Sequence, residues 1–523
     1  MKKYARIRTQ KTFAASLLCL FSVSGCASLP EEFNDVASFK EIGAAFKHQW
    51  HDDVHPFTGA AVIDIDGDGA EEIFVGGSQN QPDTLLSLRN NELVDIIEGT
   101  GLSNPAATYG PISIDVDNNG NTDLVVARYD GVYLHLNTGG KFSTQKLPLA
   151  LPENSVPLSV AASDIDRDGD ADLYISVFVD SPNFRSAVFN DPDHAKSNIL
   201  LLNDGNGEFT DITQFSGTAG SQNTFLSAFV DLDNDGWQDL VVSQNTGEVE
   251  IFRNNHDRTF RAIATNTGFG FWMGIAAGDI DHDGDQDLFF SNAGDSIPAF
   301  LTSGDLRDDQ NHNLNWALLR NDGDFRFTNV ATDMGIKDEG FAWGAVFEDI
   351  DLDGHLDLLV AQNYIKWPVH QLFPLEGRSY LRSANDGRFY HVEGLGLENP
   401  HFGQSPIIAD LNNDNRPDVI WLNMDGPVRA FINQTENPFL SIQVPDTVRF
   451  LGTTVHLESS TGRSYTREVV NSTGMLSDQS PNLVFGMERG ESVQRVVVQF
   501  PDGETVTVEN PAINTELQLD ELR

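Results

Sequence analysis

The stretch Asp279-Ile-Asp-His-Asp-Gly-Asp-Gln-Asp287-Leu288 sets acidic side chains at relative positions 1, 3, 5 and 9, with glycine at position 6. Carboxylates at that spacing in a short loop converge on one point. Hard cations want oxygen, and Ca²⁺ takes about six to eight such ligands in flexible geometry. Four carboxylates held within a few ångströms repel one another by on the order of several kcal/mol at an effective dielectric of about 20, so the loop calls for a dication at its centre.

The pattern occurs seven times, in loops beginning at Asp64, Asp115, Asp164, Asp231, Asp279, Asp349 and Asp410. Four loops are complete: Asp164, Asp166, Asp168, Asp172; Asp231, Asp233, Asp235, Asp239; Asp279, Asp281, Asp283, Asp287; and Asp349, Asp351, Asp353, Asp357. The first reads Asp64, Asp66, Asp68, Glu72, its last acid one methylene longer, and the second reads Asp115, Asp117, Asn119, Asp123. The seventh, Asp410, Asn412, Asp414, Asp418, has Asn415 where glycine is expected, and asparagine tolerates the left-handed turn. Up to seven Ca²⁺ ions are expected, with four to six loops filled; the alternative is a hydrogen-bonded turn without metal. A helical EF-hand is excluded, because position 12 is Phe290, Val242 or Val360 rather than a bidentate glutamate.

These loops need a rigid frame. Each lies between short apolar runs rich in β-branched residues, such as Ser227-Ala-Phe-Val230 and Leu240-Val-Val242, which reads as strand, loop, strand. A second signature follows, as in Ile199-Leu-Leu-Leu-Asn203-Asp-Gly-Asn-Gly-Glu-Phe209, where Asn-Asp-Gly between apolar runs marks a hairpin. Each repeat thus supplies about four strands, and radial repetition of four-stranded sheets predicts an all-β fold, a seven-bladed β-propeller. The last repeat lacks an outer strand, and Phe39-Lys-Glu-Ile42 is expected to complete it and close the ring. The propeller is assigned to residues 38–435 and a small β-sandwich-like domain to residues 436–523.

At the N-terminus, Lys2, Lys3, Arg6, Arg8 and Lys11 precede an apolar run from Phe13 to Val23 that is too short to span a bilayer. Residues 1–25 read as a secretory signal peptide. The ending Val23-Ser24-Gly25-Cys26 resembles a bacterial lipobox, which implies lipidation of Cys26, a tether over residues 26–37 and an outer-membrane address. The other cysteine, Cys19, leaves with the leader, so the mature chain forms no internal disulfide. Its 28 basic residues face 78 acidic ones, a net charge of −50 that excludes nucleic acid as a default partner and leaves the lipid anchor as the only membrane contact.

The Asp-x-Asp-x-Asp-Gly-x-x-Asp-Leu repeats resemble the FG-GAP/VCBS repeats of integrin α-chain propellers. Trp272-Met-Gly-Ile-Ala-Ala-Gly-Asp279 and Ala342-Trp-Gly-Ala-Val-Phe-Glu-Asp349 resemble the cartilage acidic protein family. Asn482-Leu-Val-Phe-Gly486 and Val496-Val-Val-Gln-Phe-Pro-Asp-Gly503 resemble the ASPIC/UnbV domain that follows the propeller in that family, with Met487-Glu488 replacing the usual Leu-Gly and Phe500 the usual Trp. The resemblance implies a calcium-binding propeller.

In such blades the Asp loops and the Asn-Asp-Gly hairpins share one face. The long connections 180–196, 294–315 and 363–376 fall on the other, as do the strand entries carrying Phe57, Tyr109, Phe225, Trp272, Trp343 and Phe402. With Trp367, these aromatics make a candidate face for a protein or glycan ligand; the alternative is packing between blades. His48, His51 and His55 lack a zinc-site spacing. No Gly-x-Ser-x-Gly, His-Glu-x-x-His or phosphate-loop motif occurs, so the expected role is a non-catalytic adhesion or binding module on the cell surface; the alternative is a polysaccharide-acting or biosynthetic accessory enzyme on the same scaffold.

Overall fold

Runs such as Leu240-Val-Val242 and Leu358-Leu-Val360 form strands buried on both faces, because each is covered by a neighbouring sheet on either side. The computed structural model describes residues 33, 37–205, 207–220, 222–294, 299–336, 339–363 and 377–523. Cys26, Trp367 and most of the connection 363–376 lie outside the described residues.

The fold is all-β and built from antiparallel units of four strands, numbered here along the chain. Unit 1 comprises Ala60–Ile63, Glu72–Val75, Thr84–Arg89 and Glu92–Asp95. Unit 2 comprises Thr108–Ile114, Asp123–Arg128, Gly131–Asn137 and Phe142–Lys146. Units 3 to 6 begin with Ser155–Ser163, Asn223–Val230, Ile275–Gly278 and Ala342–Glu348. Unit 7 comprises Gly403–Ala409, Asp418–Asn423 and Arg429–Asn433, and takes its fourth strand, Phe39–Ala44, from the other end of the chain. That strand runs antiparallel to the third, with Phe39 opposite Asn433 and Ile42 opposite Ala430, and its last residues pair in parallel with Glu92 and Leu93 of unit 1. The first strand of each unit packs beside that of the next, and the first strand of unit 7 packs beside that of unit 1. Apart from Ser155 and Ala277, first strands are buried throughout; an outer strand such as Phe142–Lys146 buries only its first residue.

The C-terminal region forms two further sheets. One holds Leu483–Gly486, Phe439–Gln443 and Thr515–Gln518; the other holds Ser464–Glu468, Thr454–Ser459, Val493–Gln499 and Thr505–Glu509. Leu440, Ile442, Val455, Leu457 and Phe500 pack between them, in one apolar cluster with Ile114, Val116 and Leu173 of units 2 and 3.

Between Glu468 and Leu483 the chain leaves these sheets and enters the space enclosed by the first strands. Ser477–Asp478 pairs in parallel with Ala60 and Ala61, and Gly474 exchanges two backbone hydrogen bonds with Ile275. Asp478 accepts from the backbone and hydroxyl of Ser113, Asn471 from the amide of Ala162, and Gln479 from the amide of Ile408. Glycines in the first strands make room: a Cβ on Gly274 would lie 2.7 Å from the Gly474 carbonyl oxygen, and one on Gly344 2.8 Å from the Met475 Cβ.

Candidate metal centre

Each Asp loop folds around its first carboxylate. In the loop beginning at Asp164, Oδ1 accepts the amide of Asp168 (3.0 Å) and Oδ2 that of Gly169 (2.9 Å). The same pair of bonds recurs at Asp115, Asp231, Asp279, Asp349 and Asp410. Asp64 differs, taking the amides of Asp66, Gly67 and Gly69. Closing the loop drives position 6 into the left-handed region, where Asn415 (φ 64°) stands in for glycine. Position 4 is left-handed too: Arg167, His282 and Leu352 have φ of 58°, 62° and 58°, a conformation costing such residues on the order of 1 kcal/mol.

The loop bonds bring carboxylate oxygens within 4.8 Å of one another in the sets Asp115, Asp117, Asp123; Asp164, Asp166, Asp172; Asp231, Asp233, Asp239; and Asp279, Asp281, Asp287, and in Asp64, Asp66, Asp68 in the first loop. Positions 1, 3 and 9 therefore form the inner group, whereas Asn119, Asp168, Asp235 and Asp283 at position 5 stand outside it, each accepting the amide two residues on. Glu72 also stands outside the named set, with Oε2 3.4 Å from the amide of Ile65.

The donor set fits a hard cation. Oδ1 of Asp166, Asp233, Asp281 and Asp351, the position-3 residue of each complete loop, is buried and has no hydrogen-bond partner among the described residues. In three of these loops an arginine reaches the other oxygen from outside: Arg258 lies 2.5 Å from Asp166 Oδ2, Arg253 2.7 Å from Asp233 Oδ2 and Arg320 3.9 Å from Asp281 Oδ2. An unpaired buried carboxylate oxygen is costly unless something ligates it. Burial, reinforced by neighbouring aspartates, pushes Asp164 up to about 6, Asp279 to about 7, and Asp172 and Asp287 to about 8. A divalent cation would hold these groups ionised at neutral pH. Several Asp clusters can thus hold metal ions.

Position 9 has a second role that its spacing did not reveal. Asp172 Oδ2 accepts the amide of Ile165 in its own loop, and Oδ1 accepts the amide of Asn203 at the end of the third strand. Asn203 in turn donates through Nδ2 to the carbonyl oxygens of Ala171 and, across the unit boundary, Val116, while its Oδ1 accepts the amide of Gly205. Asn137, Asn254, Asn321 and Asn433 repeat this arrangement. The asparagine that ends the third strand, which opens the Asn-Asp-Gly signature at Asn203 and Asn321, is therefore a clasp between units.

The C-terminal sheets dock on this loop face. Glu468 accepts the amide of Asp231 and Nε2 of Gln238, Glu71 accepts from Ser480, Asn482 and the amide of Asp410, and Arg467 reaches Glu348 at 3.0 Å.

The aromatics expected to line an open mouth sit in the interior. Phe57, Tyr109, Phe225 and Trp343 form one buried cluster with Met475 and Leu476 of the central segment, and Phe402 packs against it, half-buried. Trp272 belongs to a separate buried cluster with Ile275 and Phe290, its indole donating to the Gly268 carbonyl. The entry positions face inward because the chain threaded through the centre supplies an apolar partner there. His48 and His55 are buried apart from one another, bonded to the Asp425 amide and the Val179 carbonyl.

A model of the FG-GAP-like repeat matches residues 64–126, 115–175, 187–242 and 231–290, and a model described as ASPIC and UnbV matches residues 448–523. The chain is homologous to cartilage acidic protein 1. It is 27% identical to the Mus musculus protein over 330 residues, 58% of this chain and 48% of that one, and 25% identical to the Homo sapiens protein over 339 residues, 58% and 47%. The chain spans about half the length of the curated relatives it matches. Among solved structures, it aligns with the extracellular domain of a hybrid two-component system from B. thetaiotaomicron (TM-score 0.43, 11% identity, 91% of this chain and 60% of that one). It also aligns with a rhamnogalacturonan lyase of Bacillus licheniformis (TM-score 0.41, 11% identity, 76% and 75%). One chain thus carries both FG-GAP repeats and an ASPIC/UnbV domain.

Proposed function

We propose that the chain is a seven-bladed, calcium-stabilised β-propeller, tethered to a membrane through lipid on Cys26, that binds a protein or glycan ligand without turning it over. The seven-bladed closed ring is supported by the four-strand units, by the succession of first strands and by the pairing of Phe39–Ala44 with Arg429–Asn433. Calcium is supported by the four unpartnered position-3 oxygens and the all-oxygen donor sets. An FG-GAP array followed by an ASPIC/UnbV domain fits an adhesion or binding module.

The observation that carries the reading is the asymmetry of the two faces. The Asp-loop face is occupied by the C-terminal sheets, whereas the opposite face gathers the long connections, and two of these brace each other. Asp305 accepts the amides of Phe189 (2.6 Å) and Asn190 (3.1 Å), and Gln310 and Asn190 exchange side-chain bonds. Beside them lies a recess of about 350 Å³ lined by Phe189, Asn190, Asp191, Lys196 and Gln222 among others. Phe39 pairs with Asn433 at the Asp-loop end of its strand, on the side of the ring away from the recess.

The test is an array of glycans and surface proteins probed with the full chain in calcium and in chelator. Calcium-dependent retention of an unaltered ligand is the expected result. Cleaved or modified ligand, or no retention at all, overturns the reading.

A further inference from the structure

The Asp349 loop is built differently from the other six. Its position-4 residue is apolar: Leu352 is fully buried against Phe439 and Val484 of the three-stranded C-terminal sheet, whereas the other loops carry Gly67, Asn118, Arg167, Asn234, His282 and Asn413 there. Leu352 reaches that contact only from the left-handed conformation that the closed loop imposes.

The loop's first carboxylate is shared with the same sheet. Asp349 Oδ2 accepts the amide of Gly354 from its own loop and the amide of Gly486 from the C-terminal sheet, both at 2.9 Å. A Cβ on residue 486 would lie 2.3 Å from that oxygen and from the Leu352 carbonyl carbon, so the contact needs glycine. Arg467 closes one side, donating to Glu348 and to the Val484 carbonyl. Within the loop, Asp351 is 1% exposed and its Oδ1 has no hydrogen-bond partner among the described residues, which points to a ligand inside.

We propose that this loop is a cation-gated dock for the C-terminal domain, an inference that rests on reading the loops as cation sites. With the ion bound, Asp349 and Leu352 are held where Gly486, Phe439 and Val484 receive them. Without it, the carboxylates of Asp349, Asp351, Asp353 and Asp357 stand buried with no counter-charge, a cost that opens the loop to water and frees that edge of the sheet. Leu483–Gly486 follows directly on the segment Asn471–Ser480 that fills the centre of the molecule, so one occupied loop controls whether the centre stays filled.

The experiment uses the full chain with calcium alone as probe, reading bound calcium by elemental analysis and amide hydrogen exchange across residues 471–487. Chelation is expected to speed exchange at residues 474–478 by about tenfold or more, and Asp351→Asn to do the same in the presence of calcium. Asp166→Asn, in a loop that makes no hydrogen bond to the C-terminal sheets among the described residues, is expected to lose one ion and keep that protection. Leu352→Asn, which gives this loop the residue that the Asp115, Asp231 and Asp410 loops carry at position 4 and leaves every carboxylate in place, is expected to expose the segment with the calcium count unchanged. Calcium lost on chelation with exchange at 474–478 unaltered overturns the gate while leaving the metal reading standing. No calcium bound to the untreated chain overturns both.

Discussion

Asn321 Nδ2 lies 2.8 Å from the carbonyl oxygen of Leu232, a residue in the Asp loop of the preceding unit. The same nitrogen reaches the Gln286 carbonyl, and Oδ1 accepts the amide of Gly323, so one side chain ties two loops and a hairpin together. Asn321→Ala leaves these buried backbone groups unpaired and is expected to cost about 2–4 kcal/mol in denaturant unfolding. Asn255→Ala, one residue past the corresponding Asn254 and exposed, is expected to stay within about 0.5 kcal/mol.

Removing metal should be visible in the melt. At a calcium concentration about 100-fold above the dissociation constant, each occupied loop adds about 2.7 kcal/mol, so excess chelator should lower the melting temperature well beyond scan error. Asp281→Asn should lose one ion from the elemental count and a corresponding part of that shift. An unchanged melt in chelator would remove calcium from the account.

Stability should fall below neutral pH through buried histidines distant from the loops. His55 stacks on Phe57 and meets Phe178 edge-on, and burial pushes its pKa down from 6.5 to about 4; burial does the same to His48. The folded state keeps both rings neutral while the unfolded chain protonates them, so their contribution is complete above about pH 6.5 and is lost as pH falls toward 4. His55→Phe should flatten that fall relative to the parent by about 2 kcal/mol, read as the difference between two unfolding series.

Arg128 and Asp83 form an ion pair at 2.8 Å with both side chains fully buried, braced by Thr108 and the amide of Gly77. Asp83→Ala strands a buried guanidinium and should cost about 3–5 kcal/mol. The double replacement Asp83→Leu with Arg128→Met should recover most of that loss, since well-packed apolar groups can replace such a pair. If the double variant unfolds as readily as the single, the pair itself is required.

The Asp loops and the closing strand Phe39–Ala44 were legible because their signals are local: a carboxylate spacing, and an amphipathic strand lacking an adjacent partner. Asn203 was legible only as a turn residue, and the clasp it shares with Asn137, Asn254, Asn321 and Asn433 was not, since the bond across the unit boundary reaches a residue more than 70 positions away. The inward placement of Tyr109, Phe225 and Trp343 depends on Met475 and Leu476, which arrive from the far end of the chain and leave no periodic trace. A faint signal did exist: Gly59 and Gly274 immediately precede first strands and Gly344 lies within one, and each marks where the central segment comes close.

The strand Phe39–Ala44 has a consequence for how the molecule is made. Glu41 and Arg429 meet at 2.8 Å although 388 positions separate them, a closure worth about 5 kcal/mol of chain entropy. Synthesis proceeds at about 5–20 residues per second, so this strand waits on the order of tens of seconds with an unpaired edge before Arg429–Asn433 exists. The first strand to be translated is among the last to find its place, and the nascent chain is most exposed to aggregation during that interval.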